Sequence, residues 1–200
     1  MNTIETTLTT QAVFNDDNTK RYLLKKTWDP ALPKLTICML APSIASGIEL
    51  DSTTSLVLNN ASALGFGSVS IINLFATLGD FSLTEAEGED PENLNAIADA
   101  CKDADLIIYA PGVGKAKLQV FQDRAKQILE TLRPYEKKLK CLVSPSGKAK
   151  LLHPLCPAVR KWTIADLPLE ELLPKTTLVE SKVQPKKKGM PTVVKKEASA

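Results

Sequence analysis

KLTICMLAPSIASGIELDSTTSLVLNNASALGFGSVSIINLFA, residues 34–76, decides the fold. It opens on an unbroken apolar run of strand length, 34–42, and ends in a second one, 68–76. Continuous apolar runs bounded by turn residues mark strands covered on both faces. Between them Asp51 or Ser52 can cap a helix that carries Val57, Ala61 and Leu64, and Gly65 supplies its stop. A buried strand, a capped helix and a second buried strand make a β-α-β unit, whose right-handed crossover sets its strands parallel.

The same alternation continues toward the carboxyl terminus. Asp90-Pro91 predicts a helix with proline in its first turn and Leu94, Ile97, Ala98 and Cys101 on one face. A third buried strand is expected over 105–110. A longer helix follows from about 117 to 133, with Leu118, Phe121, Ala125, Ile128, Leu129 and Leu132 at helical spacing, and then a fourth strand over 138–145. Toward the amino terminus, RYLLKKTW (21–28) predicts an edge strand ended by Asp29-Pro30. Trp162 and the leucines from Leu167 to Leu173 are expected to pack a last short segment against the rest. The expected fold is therefore a three-layer α/β/α arrangement around a central, mainly parallel four-stranded sheet. It occupies a single domain, 19–174, between a disordered Thr/Asn/Asp-rich tail, 1–18, and a disordered Lys-rich tail, 175–200. The acidic stretch 77–90 lacks periodicity and is expected to be a long loop.

Composition narrows the function classes. With 200 residues and 44% apolar content the chain can bury one sizeable core. No apolar run approaches the ~18 to 20 residues that span a bilayer, and the first residues lack a basic-then-apolar signal pattern, so a cytoplasmic location without a membrane partner is expected. The four cysteines, Cys38, Cys101, Cys141 and Cys156, are far apart and form no C-x-x-C pair, as expected of reduced core residues. One histidine and no ligand spacing argue against a structural metal, and no cofactor motif is recognised. The formal charge of +2 conceals a tail, 175–200, of seven lysines and two glutamates at net +5, which leaves 1–174 at about −3.

In a parallel α/β sheet, ligands bind beyond the carboxyl ends of the strands near the point where strand order reverses. Four loops fall there, each with a structural reading beside a functional one. Ala41-Pro42-Ser43, followed by Asp51-Ser52-Thr53-Thr54, offers backbone N–H groups suited to an anion or a carbonyl oxygen, or is a turn and a helix cap. Asn73, at the end of an apolar strand, is costly to bury with its amide unmatched; it either reads the donor-acceptor edge of a nucleobase-like ligand or ties down a neighbouring loop. APGVGK (110–115) contains Gly112 in a strand-to-helix turn that matches neither glycine-rich phosphate motif. His153 is the only side chain with ordinary titration near neutrality and is a candidate proton or hydrogen-bond donor, or a structural residue. The PKKK run, 185–188, with Lys195 and Lys196, is a solvated tail or a source of non-specific attraction to nucleic acid.

Taken together, RYLLKKTWDP, MLAPS with LDSTT, GFGSVSIINLFA, IIYAPG and GKAKLLHPL resemble a bacterial family known as domain of unknown function 1643, over about residues 14–157. Members of that family usually carry L-N-P-S, D-P-T, N-L-F, A-W-G and H-P-L at these places. This chain departs from them at Ala41 in place of Asn, Ser52 in place of Pro, and Pro111 in place of Trp. The strand and loop order is also similar, more distantly, to the uracil-DNA glycosylase superfamily. That resemblance implies a glycosylase-like fold in which Asn73 corresponds to the base-reading Asn, Gly112 to the turn after the third strand, and His153 to the His that supports a carbonyl oxygen of the base. The glycosylase's first loop carries a carboxylate, where this chain has Ala41-Pro42-Ser43. Asp51 is the nearby acid, and it is also an N-cap candidate.

The expected function is recognition of a nucleobase, nucleotide or DNA in a strand-end pocket formed by Pro42, Ser43, Thr53, Asn73, Gly112 and His153. Asp51 and His153 are the candidate catalytic groups, and no reaction is assigned. The alternatives are a non-enzymatic interaction protein of a phage or mobile genetic element, with a protein as partner, and an enzyme acting on a small phosphorylated metabolite.

Overall fold

The computed structural model describes residues 1–43, 47–79 and 90–173. Its strands are β1 (Thr9–Phe14), β2 (Arg21–Thr27), β3 (Lys34–Met39), β4 (Ser68–Asn73), β5 (Leu106–Tyr109), β6 (Leu139–Leu142) and β7 (Ile164–Asp166). The helices among the described residues are α1 (Ser52–Ala63), α2 (Pro91–Lys102), α3 (Gln119–Leu132) and the single turn α4 (Leu169–Leu172).

All seven strands join one mixed sheet in the order β1-β2-β4-β3-β5-β6-β7. This corrects the expected four-stranded, mainly parallel sheet. The four apolar strands β4, β3, β5 and β6 do pair in parallel, but antiparallel strands extend the sheet on both sides. β2 is not an edge strand: it lies between β1 and β4. The amino-terminal segment assigned to a tail through residue 18 contains β1, joined to β2 by a turn in which the Asn15 and Asp17 side chains accept from the backbone N–H groups of Lys20 and Thr19. The tail 175–200 and most of the acidic loop 77–90 lie outside the described residues.

Strand alternation divides the interior in two. Leu35, Ile37, Val69, Ile71, Ile108 and Leu142 face Val57 and Ala61 of α1. Cys38, Ile72, Ile107, Tyr109 and Cys141 face Ile97 and Cys101 of α2 and Phe121, Ile128 and Leu132 of α3. The chain leaves β3 for β4 on one side and returns to β5 on the other, so strand order reverses at β3. In sheets of this kind ligands commonly bind beyond the carboxyl ends of the strands beside such a reversal.

Two polar ties close the opposite end of β4 and the layer beneath α1. A Cβ on Gly67 would lie 1.8 Å from the Asp29 carbonyl oxygen, so only glycine lets the Trp28–Asp29 turn approach and donate both its N–H groups to the Gly67 carbonyl. Asn60 in α1 accepts from Trp162 N–H and donates to the Arg160 carbonyl, which holds the segment after β6 against the helix.

Candidate functional site

The capping geometry at the start of α1 assembles the first part of the site. Asp51 is the N-cap, and its Oδ1 accepts from Thr54 N–H at 2.6 Å. Burial alone would raise the Asp51 carboxyl, but the Ser43 hydroxyl, the Thr54 N–H and hydroxyl, and the Arg21 charge together hold it below the usual carboxylate range. Asp51 is therefore an ionised, hydrogen-bonded anchor between the loop after β3 and the first turn of α1. Thr54, rather than the half-buried Thr53, completes that anchor.

Arg21 is one of the residues that the sequence did not single out. It is 2% exposed at the start of β2, donates from Nη1 to the Ser43 carbonyl at 3.2 Å, and interacts electrostatically with Asp51. Lys26, further along β2, is likewise buried. Its Nζ donates to Thr10 Oγ1 at 2.9 Å and to the Gly47 carbonyl at 2.6 Å. Two cations from β2 thus grip the loop beyond β3. The turn cluster NDDN between two strand-like segments was the available signal for β1, but nothing in RYLLKKT distinguishes buried cations from a solvated face.

His153 reaches the site from the loop after β6. Its Nδ1 accepts from Leu155 N–H at 3.2 Å, so the neutral ring carries its proton on Nε2 and can donate it. Burial pushes the imidazole below its usual value, and the Asp51 charge opposes that shift only in part. Gly112 adopts φ +79, and a Cβ there would meet His153 Cβ at 3.1 Å. The glycine in APGVGK is thus explained by the close approach of the β5 and β6 loops.

Asn73 ends β4 opposite Met39 of β3, on the α1 side of the sheet by strand alternation with Val69 and Ile71. It is 1% exposed, and neither its Nδ2 nor its Oδ1 has a hydrogen-bond partner among the described residues. Ser43, Asp51, Arg21, Gly112 and His153 are joined by direct contacts or by charge, and Pro42 is buried beside Ser43. Asn73 shares their end of the sheet with no hydrogen bond to them. Among the described residues no three His, Cys, Asp or Glu side chains cluster as metal ligands would.

Around this end, Lys115, Lys117, Lys148 and Lys150 are exposed, and none of them takes part in the ion pairs found among the described residues. On the other side of the sheet a groove of about 580 Å³ runs along α3, lined by Tyr109, Pro111, Phe121, Leu129 and Leu151. No helix among the described residues is long and apolar enough to cross a membrane.

No curated protein and no solved structure is significantly similar to the chain. One family model does match, over residues 21–155, and that span includes β2, every loop of the site and His153. The chain belongs to the family described as Protein of unknown function (DUF1643).

Proposed function

We propose that the protein recognises a nucleobase, carried on a nucleotide or on DNA, at the carboxyl ends of its central strands. The observation that carries this reading is the Asn73 amide, buried with donor and acceptor both unmatched. Leaving such a group unpaired costs about 1 to 3 kcal/mol, a cost that is offset when a ligand supplies an adjacent acceptor and donor. A nucleobase edge has that pattern. His153 Nε2–H is the second donor, and Asp51 with Arg21 shapes the loop between them. The four exposed rim lysines, which form no ion pair among the described residues, suit a phosphate backbone, which favours a polymer over a free base. A glycosylase-like fold and activity are part of this proposal. Asp51 is committed to the helix cap and to Ser43, which leaves it poorly placed to activate water.

The test is binding of the full-length protein to labelled single- and double-stranded DNA, with and without uracil, over a salt series, while base release is followed. A variant with the seven tail lysines changed to glutamine separates the tail's attraction from that of the rim. Salt-dependent binding that persists in that variant and weakens in Asn73→Ala supports the reading, and base release makes the protein an enzyme. Absence of binding overturns it. The apolar groove along α3 favours a second reading, a non-enzymatic interaction protein, which predicts no response to DNA and association with another polypeptide through Pro111, Phe121 and Leu129.

A further inference from the structure

We infer that Asn93 and Arg124 are positioning residues that set, from the opposite side of the sheet, the angle at which Asn73 presents its amide; this rests on the reading of Asn73 as the group that contacts the base. Because the Asn73 amide makes no hydrogen bond with the described residues, its direction depends on its own backbone and on packing. One edge of that backbone is held by β3: Leu74 N–H donates to the Met39 carbonyl at 2.9 Å and Phe75 N–H to the Leu40 carbonyl at 3.0 Å. The carbonyls of Asn73 and Leu74 are met instead by side chains. Asn93 Nδ2 donates to both, at 3.2 Å each, and Arg124 Nε donates to Leu74 at 2.7 Å.

These donors are themselves fixed. Asn93 is fully buried, and its N–H is capped by Asp90 Oδ1 at 3.0 Å; Asp90 in turn pairs with Lys20 Nζ at 2.8 Å. Arg124 is buried on the inner face of α3 and is braced by Gln127. A guanidinium placed among apolar side chains is costly unless its hydrogen bonds compensate. Two buried donors, one from each helix, therefore converge on consecutive carbonyls at Asn73 and Leu74, beside a side-chain amide whose donor and acceptor both lack a partner among the described residues. This arrangement couples α2 and α3 to the base-contacting position without touching the ligand.

The experiment measures discrimination rather than affinity. Full-length protein is titrated with labelled single strands that carry deoxyuridine, deoxycytidine, deoxyadenosine or deoxyguanosine at one central position, and with the same strand abasic there. The ratio of abasic Kd to best-base Kd is the readout. Asn73→Ala should reduce the ratio to about one. Asn93→Ser and Arg124→Met should reduce it roughly five- to tenfold while the salt slope stays unchanged, and Arg124→Lys should restore part of it. The ¹⁵N resonances of the Asn73 side-chain amide should move in the free Arg124→Met protein, a readout that needs no ligand. A ratio that falls in Asn73→Ala but is unchanged in folded Asn93→Ser and Arg124→Met overturns the positioning role and leaves the base-reading proposal standing. A wild-type ratio near one, with unmoved Asn73 resonances, overturns both.

Discussion

Replacing Asn73 by leucine should stabilise the protein while destroying its ligand recognition. The two side chains share a branched outline, with leucine the bulkier, and the change removes a buried donor and a buried acceptor that have no partners among the described residues. Each unmatched buried polar group costs about 1 to 3 kcal/mol, so removing two of them outweighs the about 1 to 3 kcal/mol that a bulkier side chain costs and leaves a net gain of about 1 to 3 kcal/mol. For a domain of this size that corresponds to a rise in Tm of roughly 2 to 12 °C. The informative control is Asn93→Leu. There the same chemical change deletes two donated hydrogen bonds and leaves the Asn73 carbonyl unmatched, so a loss of about 2 to 4 kcal/mol is expected. Thermal and urea denaturation of both variants, monitored by circular dichroism, measures the two signs. If Asn73→Leu destabilises the protein as much as Asn93→Leu does, the Asn73 amide is part of the fold's own hydrogen bonding and is not held free for a ligand. A stabilised variant that still discriminates between bases would refute it from the other side.

Three further expectations concern the same end of the sheet. Gly112→Ala places a Cβ 3.1 Å from His153 Cβ at a positive φ, which should cost about 1 to 2 kcal/mol in a urea titration and weaken base discrimination by displacing the imidazole; an unaffected variant would show that the two loops move independently. Because burial places His153 in the folded protein below its usual value near 6.5, the unfolded chain takes up the proton first. Stability should therefore be full above that value and decline as the pH falls through it toward the lower folded value, and His153→Gln should show a smaller decline between about pH 7.5 and 5.5. Equal declines in the two proteins would mean that other groups carry the effect. Finally, changing Lys115, Lys117, Lys148 and Lys150 to glutamine should flatten the dependence of log K on log salt by about 0.7 for each lysine that meets a phosphate of single-stranded DNA, with the base ratio unchanged. An unaltered slope would remove these lysines from the interface.

Much of this architecture is legible because buried parallel strands have to be apolar throughout. Runs such as 34–42 and 68–76 have few alternative interpretations, and the caps Asp51 and Asp90 announce their helices through local chemistry alone. β1 is a different case. Alternation of exposed and half-buried residues in TTQAVF resembles any polar segment, and the strand is made by its pairing with β2 rather than by its own composition. β7, with three residues, is too short to carry a period. Arg21, Lys26, Asn93 and Arg124 were illegible for one shared reason. A polar side chain reads as solvent-facing until the carbonyls it satisfies are known, and those come from Ser43, Gly47, Asn73 and Leu74, which lie far away in sequence or across the sheet.

The departures of this chain from the usual family pattern can be weighed by what each position does. Ser52 is the first residue of α1, where proline is favoured because its φ is preset and its missing N–H would have no helical partner. Serine forfeits that preorganisation, but Asp51 still caps the helix, so the loop geometry survives. Pro111 is buried and lines the groove along α3, where the tryptophan usual in the family would supply more apolar surface. Its effect should fall on that groove and on the Gly112 turn rather than on Asn73. Ala41 is the consequential change, because it removes a polar side chain from the loop that Arg21 and Asp51 hold in place around Ser43. A site with a base-sized hydrogen-bonding demand at Asn73, a donor at His153 and its nearest carboxylate committed to a helix cap is better equipped to hold a base than to cleave its bond. Ala41→Asn is accordingly the substitution that separates the two capacities. If it increases base release while leaving the base-to-abasic ratio unchanged, recognition and chemistry reside in different residues of this end of the sheet. If it changes only binding, the loop belongs to recognition as well.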